Sequence, residues 1–157
     1  MLPGIEVVSF AAQADAHCAE AQVPSRAIPE SMAAVNIRRR IGPTSPGRPD
    51  EALDRFTGGS IVVAIAGMPY KCPPAPLEVT FLIEAELRQR GLRDKSEIHY
   101  CSPIGRAFTI ESVSGMATPI LEEKGIELHT FFNVEAIDPA RKVVQSLEGE
   151  EFPYDLL

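Results

Sequence analysis

Cysteine is scarce in this chain, and the three cysteines that occur form no recognisable pair. They stand at positions 18, 72 and 101, without a C-x-x-C spacing. An odd number of widely separated cysteines argues against a disulfide framework and indicates a reducing compartment. His17 and Cys18 are adjacent, but no second ligand pair follows them at the spacing of a zinc motif. The sequence therefore predicts neither disulfides nor a metal site.

Clustered positive charge and long apolar runs are also missing. The formal net charge is −7, and the only basic run, Arg38-Arg39-Arg40, is typical of a solvated patch. This balance argues against a nucleic-acid surface. The longest apolar run, Ile61 to Met68, has eight residues, whereas a membrane-spanning helix needs about 20. The N-terminus lacks the positive start of an export signal. We therefore expect a cytoplasmic protein whose complete form contacts a membrane only peripherally.

The chain divides into two unlike parts. Residues 1–55 show no sustained helical or strand period, although Ala11 to Ala21 favours a short helix and Glu51 to Phe56 a helical turn. The stretch from Ile41 to Asp50 is rich in proline and glycine, which is typical of a linker. We predict an irregular, flexible segment over residues 1–55 and a folded domain over 56–157.

The second part begins with a β-α-β pattern. Ser60 to Gly67 is an apolar, β-branched run, which indicates a strand covered on both faces, as in a parallel sheet with helices on each side. Leu77 to Arg90 is a helix that Gly91 ends, and Glu97 to Cys101 is a second strand. In the helix, the predicted buried stripe excludes Glu84 and Arg88, an i,i+4 pair that we place on the solvent side. The stripe consists of Val79, Leu82, Ile83 and Leu87.

The remainder continues the alternation and then changes to strands alone. Ser112 to Lys124 is the next helix, which Pro119 kinks unless the helix begins there. Ile126 to Phe132 alternates as a third strand that continues through Ile137, and residues 142–147 and 152–157 are strands joined by a turn. The predicted fold is α/β: a Rossmann-like β-α-β half with a C-terminal antiparallel hairpin, preceded by an irregular proline-rich segment.

The loop after the first strand departs from the dinucleotide-binding pattern. That pattern has G-x-G-x-x-G, because glycines let backbone amides approach a pyrophosphate. This loop runs from Ala66 to Pro76 as A-G-M-P-Y-K-C-P-P-A-P, where only Gly67 matches and prolines remove amide donors. Cys72 stands just before the helix, and the helix N-terminus and Lys71 both favour the reactive thiolate. Its placement alone is equally compatible with a redox thiol and with a packed core cysteine.

Three segments carry a resemblance to a known family. They are Asp54 to Pro76 with its K-C-P-x-A-P sequence, Gly91-Leu-Arg-Asp-Lys95 with the later Pro-Ile-Gly-Arg106 turn, and the closing Leu147 to Leu157. Together they are similar to the sulfide:quinone oxidoreductases and flavocytochrome c sulfide dehydrogenases, over about 100 residues. The resemblance implies an FAD-dependent oxidoreductase of which residues 56–157 are an incomplete middle domain, of the type that binds NAD in related flavoproteins.

In that family the matching cysteine belongs to a redox pair beside the flavin and takes up sulfur from sulfide. A quinone or a cytochrome accepts the electrons. The resemblance assigns this role to Cys72 alone. Residues 1–55 lack the glycine fingerprint for FAD, and Cys101 does not match the second cysteine. A homo-oligomer and a complementing chain are the candidate partners, and the sequence does not choose a source for the missing parts.

Two alternatives to catalysis remain open at this stage. One is a non-catalytic Rossmann-like module for binding or oligomerisation, and the other is a truncated reading frame without independent activity. Among the remaining candidates, we interpret Cys101 as a core residue, His99 and His129 as ordinary strand residues, and Asp155 as the end of the hairpin. No cofactor-binding residue is assigned.

Overall fold

The computed structural model describes residues 49–157, with the side chains of residues 49–51 excepted. The predicted helix at Ala11 to Ala21, the arginine run and most of the proline-rich segment lie outside this range. The described part begins with helix α1, Pro49–Arg55, which starts two residues before the predicted turn at Glu51. Its C-terminal carbonyls are held by Arg90, which donates to Leu53 O at 2.6 Å and Phe56 O at 2.7 Å.

Three parallel strands form the first sheet, as the sequence predicts. They are β1, Gly59–Ala64, β2, Ser96–Cys101, and β3, Ile126–His129, in the order β1-β2-β3. The register pairs Val62 with His99 and Cys101 with His129. Helix α2, Ala75–Gln89, and a 3-10 turn, Arg93–Lys95, connect the first two strands.

Helix α2 ends at the predicted glycine through a Schellman motif. Gly91 has φ +66°, its N–H donates to Arg88 O at 3.1 Å, and Leu92 N donates to Leu87 O at 2.8 Å. Glycine is favoured there because a Cβ opposes the left-handed conformation. Helix α3, Glu111–Glu123, connects β2 to β3 and contains Pro119 within it, so the helix does not begin at that proline.

The two faces of the first sheet pack on different partners, because successive strand residues point to opposite sides. One face packs on helices α2 and α3 in a cluster that includes Ile61, Ile98, Tyr100, Leu87 and Leu121. The other face packs in a second cluster of buried residues: Val62, Cys101, Phe132, Val144 and Tyr154. The strands are thus covered on both sides, but in the described chain a second sheet, instead of helices, covers one side.

This second sheet is antiparallel and has three strands. They are β4, Val134–Asp138, β5, Val143–Ser146, and β6, Glu151–Pro153, in that order, so the predicted hairpin is extended by a strand. The third predicted strand ends at His129 instead of continuing to Ile137. Phe131 has φ +58°, which turns the chain out of the first sheet and lets β4 join the second.

After β6 the chain returns to the first sheet. Val62 N donates to Leu156 O at 2.9 Å, and Leu156 forms a parallel bridge with Ile61 at the free side of β1. Asp155 Oδ2 accepts a hydrogen bond from Ser60 N at 3.0 Å. A Cβ at Gly59 would clash with this carboxylate, and Gly59 has φ +124°. Asp155 therefore joins the end of the hairpin to the start of β1, which agrees with its interpretation as a residue that ends the hairpin.

The buried face of α2 differs from the predicted stripe. Its buried positions are Leu77, Thr80, Glu84 and Leu87, so Glu84 lies inside and not on the solvent side. Glu84 is tolerated there because Arg88 Nη2 at 2.5 Å and Lys124 Nζ at 2.8 Å pair with its two oxygens. Between residues 49 and 157, no helix combines the length and apolar character needed to cross a bilayer.

Candidate functional site

Cys72 lies in an exposed loop between the carboxyl end of β1 and the first turn of α2. The peptide bond between Met68 and Pro69 in this loop is cis. The thiol side chain is exposed, and the Cys72 carbonyl accepts a hydrogen bond from Ala75 N at 3.1 Å. The sheet and helix therefore fix the backbone of the cysteine while leaving its sulfur open to small molecules. In open α/β sheets this carboxyl edge is where ligands bind.

The same loop does not fit the pyrophosphate of a dinucleotide such as FAD. In the first turn of α2, the Ala75 amide is occupied by Cys72 O at 3.1 Å, and the Glu78 amide makes the first ordinary helical bond, to Pro74 O. Pro74 and Pro76 have no amide hydrogen to offer. Helix N-termini hold phosphate through free N–H groups, and this one has lost most of them. The described residues thus supply a thiol at this position and no phosphate cradle.

Cys101 contrasts with Cys72 in every respect that governs reactivity. It is fully buried at the end of β2, within the cluster between the two sheets. Burial raises the pKa of its thiol to about 12, and the charge of Glu150 adds to this effect. A protonated, inaccessible thiol is a poor nucleophile. The prediction that Cys101 is a core residue is confirmed, whereas Cys18 lies outside the described residues.

A group of three titratable side chains lies between the two sheets at the edge of β3. His99 Nδ1 is 3.1 Å from His129 Nε2, and Glu127 Oε2 is 3.3 Å from the former and 3.6 Å from the latter. We call these three residues the histidine–glutamate cluster. The ring of Phe152 packs on both imidazoles, with centroid distances of 4.2 Å to His129 and 5.3 Å to His99.

Both histidines lie on strands as predicted, but sequence reasoning did not bring them together. They are 30 residues apart, and neither belongs to a local ligand motif. The parallel register supplies the missing information, because it sets His99 opposite Glu127 and His129 opposite Cys101. Burial lowers the pKa of His129, and the adjacent His99 lowers it further, while Glu127 acts in the opposite direction. The pairing of β2 with β3 was the one signal that could have revealed this cluster.

Comparison with known proteins confirms the family resemblance. No family model matches the chain. The mitochondrial sulfide:quinone oxidoreductase of Mus musculus is 25% identical over 138 residues, which cover 84% of this chain and 31% of that protein. The chain thus spans about a third of the length of this curated relative.

Solved structures share the fold. The sulfide:quinone oxidoreductase of Aquifex aeolicus matches 68% of this chain and 26% of its own, with a TM-score of 0.56 and 21% identity. The reduced CoADR-RHD of Bacillus anthracis matches 88% of this chain and 22% of its own, with a TM-score of 0.52 and 19% identity. At these identities the likeness establishes a Rossmann-like architecture and leaves the chemistry to the residues of this chain.

Proposed function

We propose that this chain is part of an FAD-dependent, sulfide:quinone-type oxidoreductase in which Cys72 is the thiol that takes up sulfide sulfur. One observation supports this most directly: Cys72 is exposed at the carboxyl edge of the sheet, within the K-C-P-x-A-P sequence that carries the resemblance. The identity to a curated sulfide:quinone oxidoreductase extends over most of the chain. Residues 56–157 are then an incomplete middle domain of that flavoprotein.

The proposed chemistry at Cys72 is thiol–disulfide exchange. In the oxidised state Cys72 shares a disulfide with a second cysteine, and hydrosulfide attacks the Cys72 sulfur. A new S–S bond forms, the old one breaks, and its electron pair leaves on the second cysteine as thiolate. The product is a persulfide on Cys72. Cys101 does not suit the role of second cysteine because it is buried and protonated.

FAD would supply the two-electron acceptor in the complete protein. The described loop does not fit the pyrophosphate of FAD, so we place the flavin site outside residues 49–157. A quinone is the expected final acceptor, with a cytochrome as the other candidate, and contact with the membrane would be peripheral. A second copy of this chain or a complementing chain would contribute the partner thiol.

The decisive experiment is Cys72→Ser in an assembly that restores flavin and the partner thiol. Sulfide-dependent reduction of a quinone should fall to background, because serine forms no disulfide. Cys101→Ala serves as the matched control, and its turnover should stay within about twofold. Unchanged turnover in the Cys72 variant would exclude the assignment.

Thiol accessibility tests the first requirement of the proposal on the chain itself. In a Cys18→Ser background, an aromatic disulfide reagent should modify one thiol rapidly, and Cys72→Ser should abolish that fast phase. The Cys101 thiol should react only after denaturant is added, because it is buried and has a pKa of about 12. Fast labelling that persists in Cys72→Ser would contradict the prediction.

The alternative function is a Rossmann-like module that binds or oligomerises without catalysis. The observation that favours it is the occupied helix N-terminus before α2, where a dinucleotide phosphate would otherwise sit. A purified protein that is folded, monodisperse and free of flavin absorbance would support this alternative. A protein purified with bound flavin would rule it out.

A further inference from the structure

The thiol chemistry proposed for Cys72 does not involve the histidine–glutamate cluster, whose geometry suits another role. Its three donor atoms, His99 Nδ1, His129 Nε2 and Glu127 Oε2, are separated by 3.1, 3.3 and 3.6 Å. In a tetrahedral zinc site with ligand bonds of about 2.0–2.1 Å, donor atoms lie about 3.3–3.4 Å apart. The triangle therefore already has the size of three corners of a tetrahedron.

We propose that His99, Glu127 and His129 bind a divalent transition-metal ion of the zinc type. Two imidazoles and one carboxylate are a donor set that suits zinc and its neighbours in the first transition row. The fourth position would be taken by water. The proposal is independent of sulfide or flavin chemistry and goes beyond the function proposed above.

Proton counting favours a cation over a simple hydrogen-bonded group. A neutral imidazole carries one N–H, on Nδ1 or on Nε2, and hydrogens on both His99 Nδ1 and His129 Nε2 would oppose each other across 3.1 Å, so one hydrogen at most lies inside the triangle. The triangle then holds more lone pairs than hydrogens. Among the described residues, Glu127 forms ion pairs only with these two histidines, so no lysine or arginine of that range neutralises it. A metal ion would satisfy all three donors at once.

The surroundings hold the two imidazoles in place and leave an entry path. His99 is buried, and Phe152 of the second sheet packs on both rings. The other ring nitrogen of His99, Nε2, faces Glu97 Oε2 at 4.0 Å, on the side away from the triangle. Carboxylates near the remote nitrogen commonly orient metal-binding histidines. Glu127 is 64% exposed on edge strand β3, so an ion reaches the site from solvent.

The test is metal binding by the full chain. After chelator treatment, the protein is titrated with Zn²⁺ in competition with a chromogenic chelator, and with Co²⁺ to record visible absorption. We expect one equivalent of Zn²⁺ at micromolar concentration or below, and a tetrahedral Co²⁺ spectrum without a thiolate charge-transfer band. No saturable Zn²⁺ binding by the wild-type protein would overturn the proposal.

Variants locate the site. His129→Ala and Glu127→Gln should each weaken Zn²⁺ binding at least tenfold, and circular dichroism should show that Glu127→Gln, at an exposed position, keeps its fold. Cys72→Ser and the double variant His17→Ala with Cys18→Ser, which remove the other plausible ligands, should bind Zn²⁺ as the wild type does. Unchanged affinity in folded Glu127→Gln, or loss of binding in either control, would refute the assignment.

Discussion

Glu84 shows how a single charged residue is accommodated in the interior. Burial on its own would raise the pKa of its carboxyl group, but hydrogen bonds from Lys124 and Arg88 outweigh that effect and lower the pKa. Arg93 Nε lies 4.0 Å away on a third side. The carboxylate thus joins α2 to the end of α3 and to the turn before β2. Its charge is stabilised in the folded state more than in the unfolded chain.

We predict that Glu84→Gln lowers the free energy of unfolding at pH 7 by about 1–2 kcal/mol, since the cations it pairs with remain partly exposed to water. Because the pKa of Glu84 is lowered in the fold, its carboxylate contributes its full stabilisation at pH values above the ordinary pKa of 4.5. That stabilisation is lost as the pH falls through the pKa of the folded state. The difference between wild type and variant should therefore shrink below about pH 4. Urea unfolding across this pH range measures it.

Glu123→Gln is the matched control, because that glutamate is exposed at the end of α3. Its unfolding free energy should stay within about 0.5 kcal/mol of the wild type. A gap between wild type and Glu84→Gln that does not change with pH would show that the effect is steric and not electrostatic.

Arg90 helps to attach helix α1 to the rest of the domain. The arginine caps α2, and its guanidinium donates to three carbonyls at the end of α1, those of Leu53, Asp54 and Phe56. Carbonyls at a helix C-terminus lack the partners that the helix interior provides, and Leu53 O is shared here between Arg90 and Phe56 N, which donates at 3.2 Å. Ala52, Leu53 and Phe56 also join the core on the helical side of the sheet. Packing and the arginine fork therefore act together on α1.

We expect Arg90→Lys to loosen α1 without unfolding the domain, because a lysine ammonium cannot reproduce the planar fork. The cost should be about 1–2 kcal/mol. Hydrogen exchange of residues 52–56 should quicken, while exchange in β2 stays as in the wild type. Gln89→Ala, at the neighbouring exposed position, is the control and should change neither. Equal acceleration in both regions would contradict a local role.

Across the whole molecule, stability depends on how the second sheet docks on the first. Val144 of β5 is fully buried in the cluster that also contains Val62 and Cys101 of the parallel sheet. Phe152 and Tyr154 complete the contact from the same side. The antiparallel sheet has only three short strands, so it gains most of its stability from this interface.

Val144→Ala tests this cooperativity. We predict a loss of about 1–3 kcal/mol in unfolding free energy from the cavity and lost burial. Both sheets should unfold in a single transition, and hydrogen exchange should be faster in β1 as well as in β5. Ile137→Ala, at a half-exposed position of β4, should cost less than about 1 kcal/mol. Separate transitions for the two sheets would show that they fold independently.

Much of the architecture followed from the sequence, because local signals agreed with one another. The β-branched run of β1, the helical period of α2 and Gly91 at its end all specify structure through nearby backbone preferences. The exposure of Cys72 was not decided by those signals, whereas the burial of Cys101 was expected from its place at the end of a strand. The family resemblance came from contiguous segments, so it too was readable before the fold was known.

Only the tertiary structure decided the remaining features, since they depend on contacts between distant residues. Strand pairing, set by the whole sheet, brought donor atoms of His99, Glu127 and His129 within 3.6 Å of one another. The positive φ of Phe131 turned the chain away from the first sheet after the third strand. The cations beside Glu84 let this residue lie on the buried side of its helix, where the sequence had placed it on the solvent side. Local preference determines which elements form. Register and packing determine which side chains meet, and a single sequence carries no direct record of either.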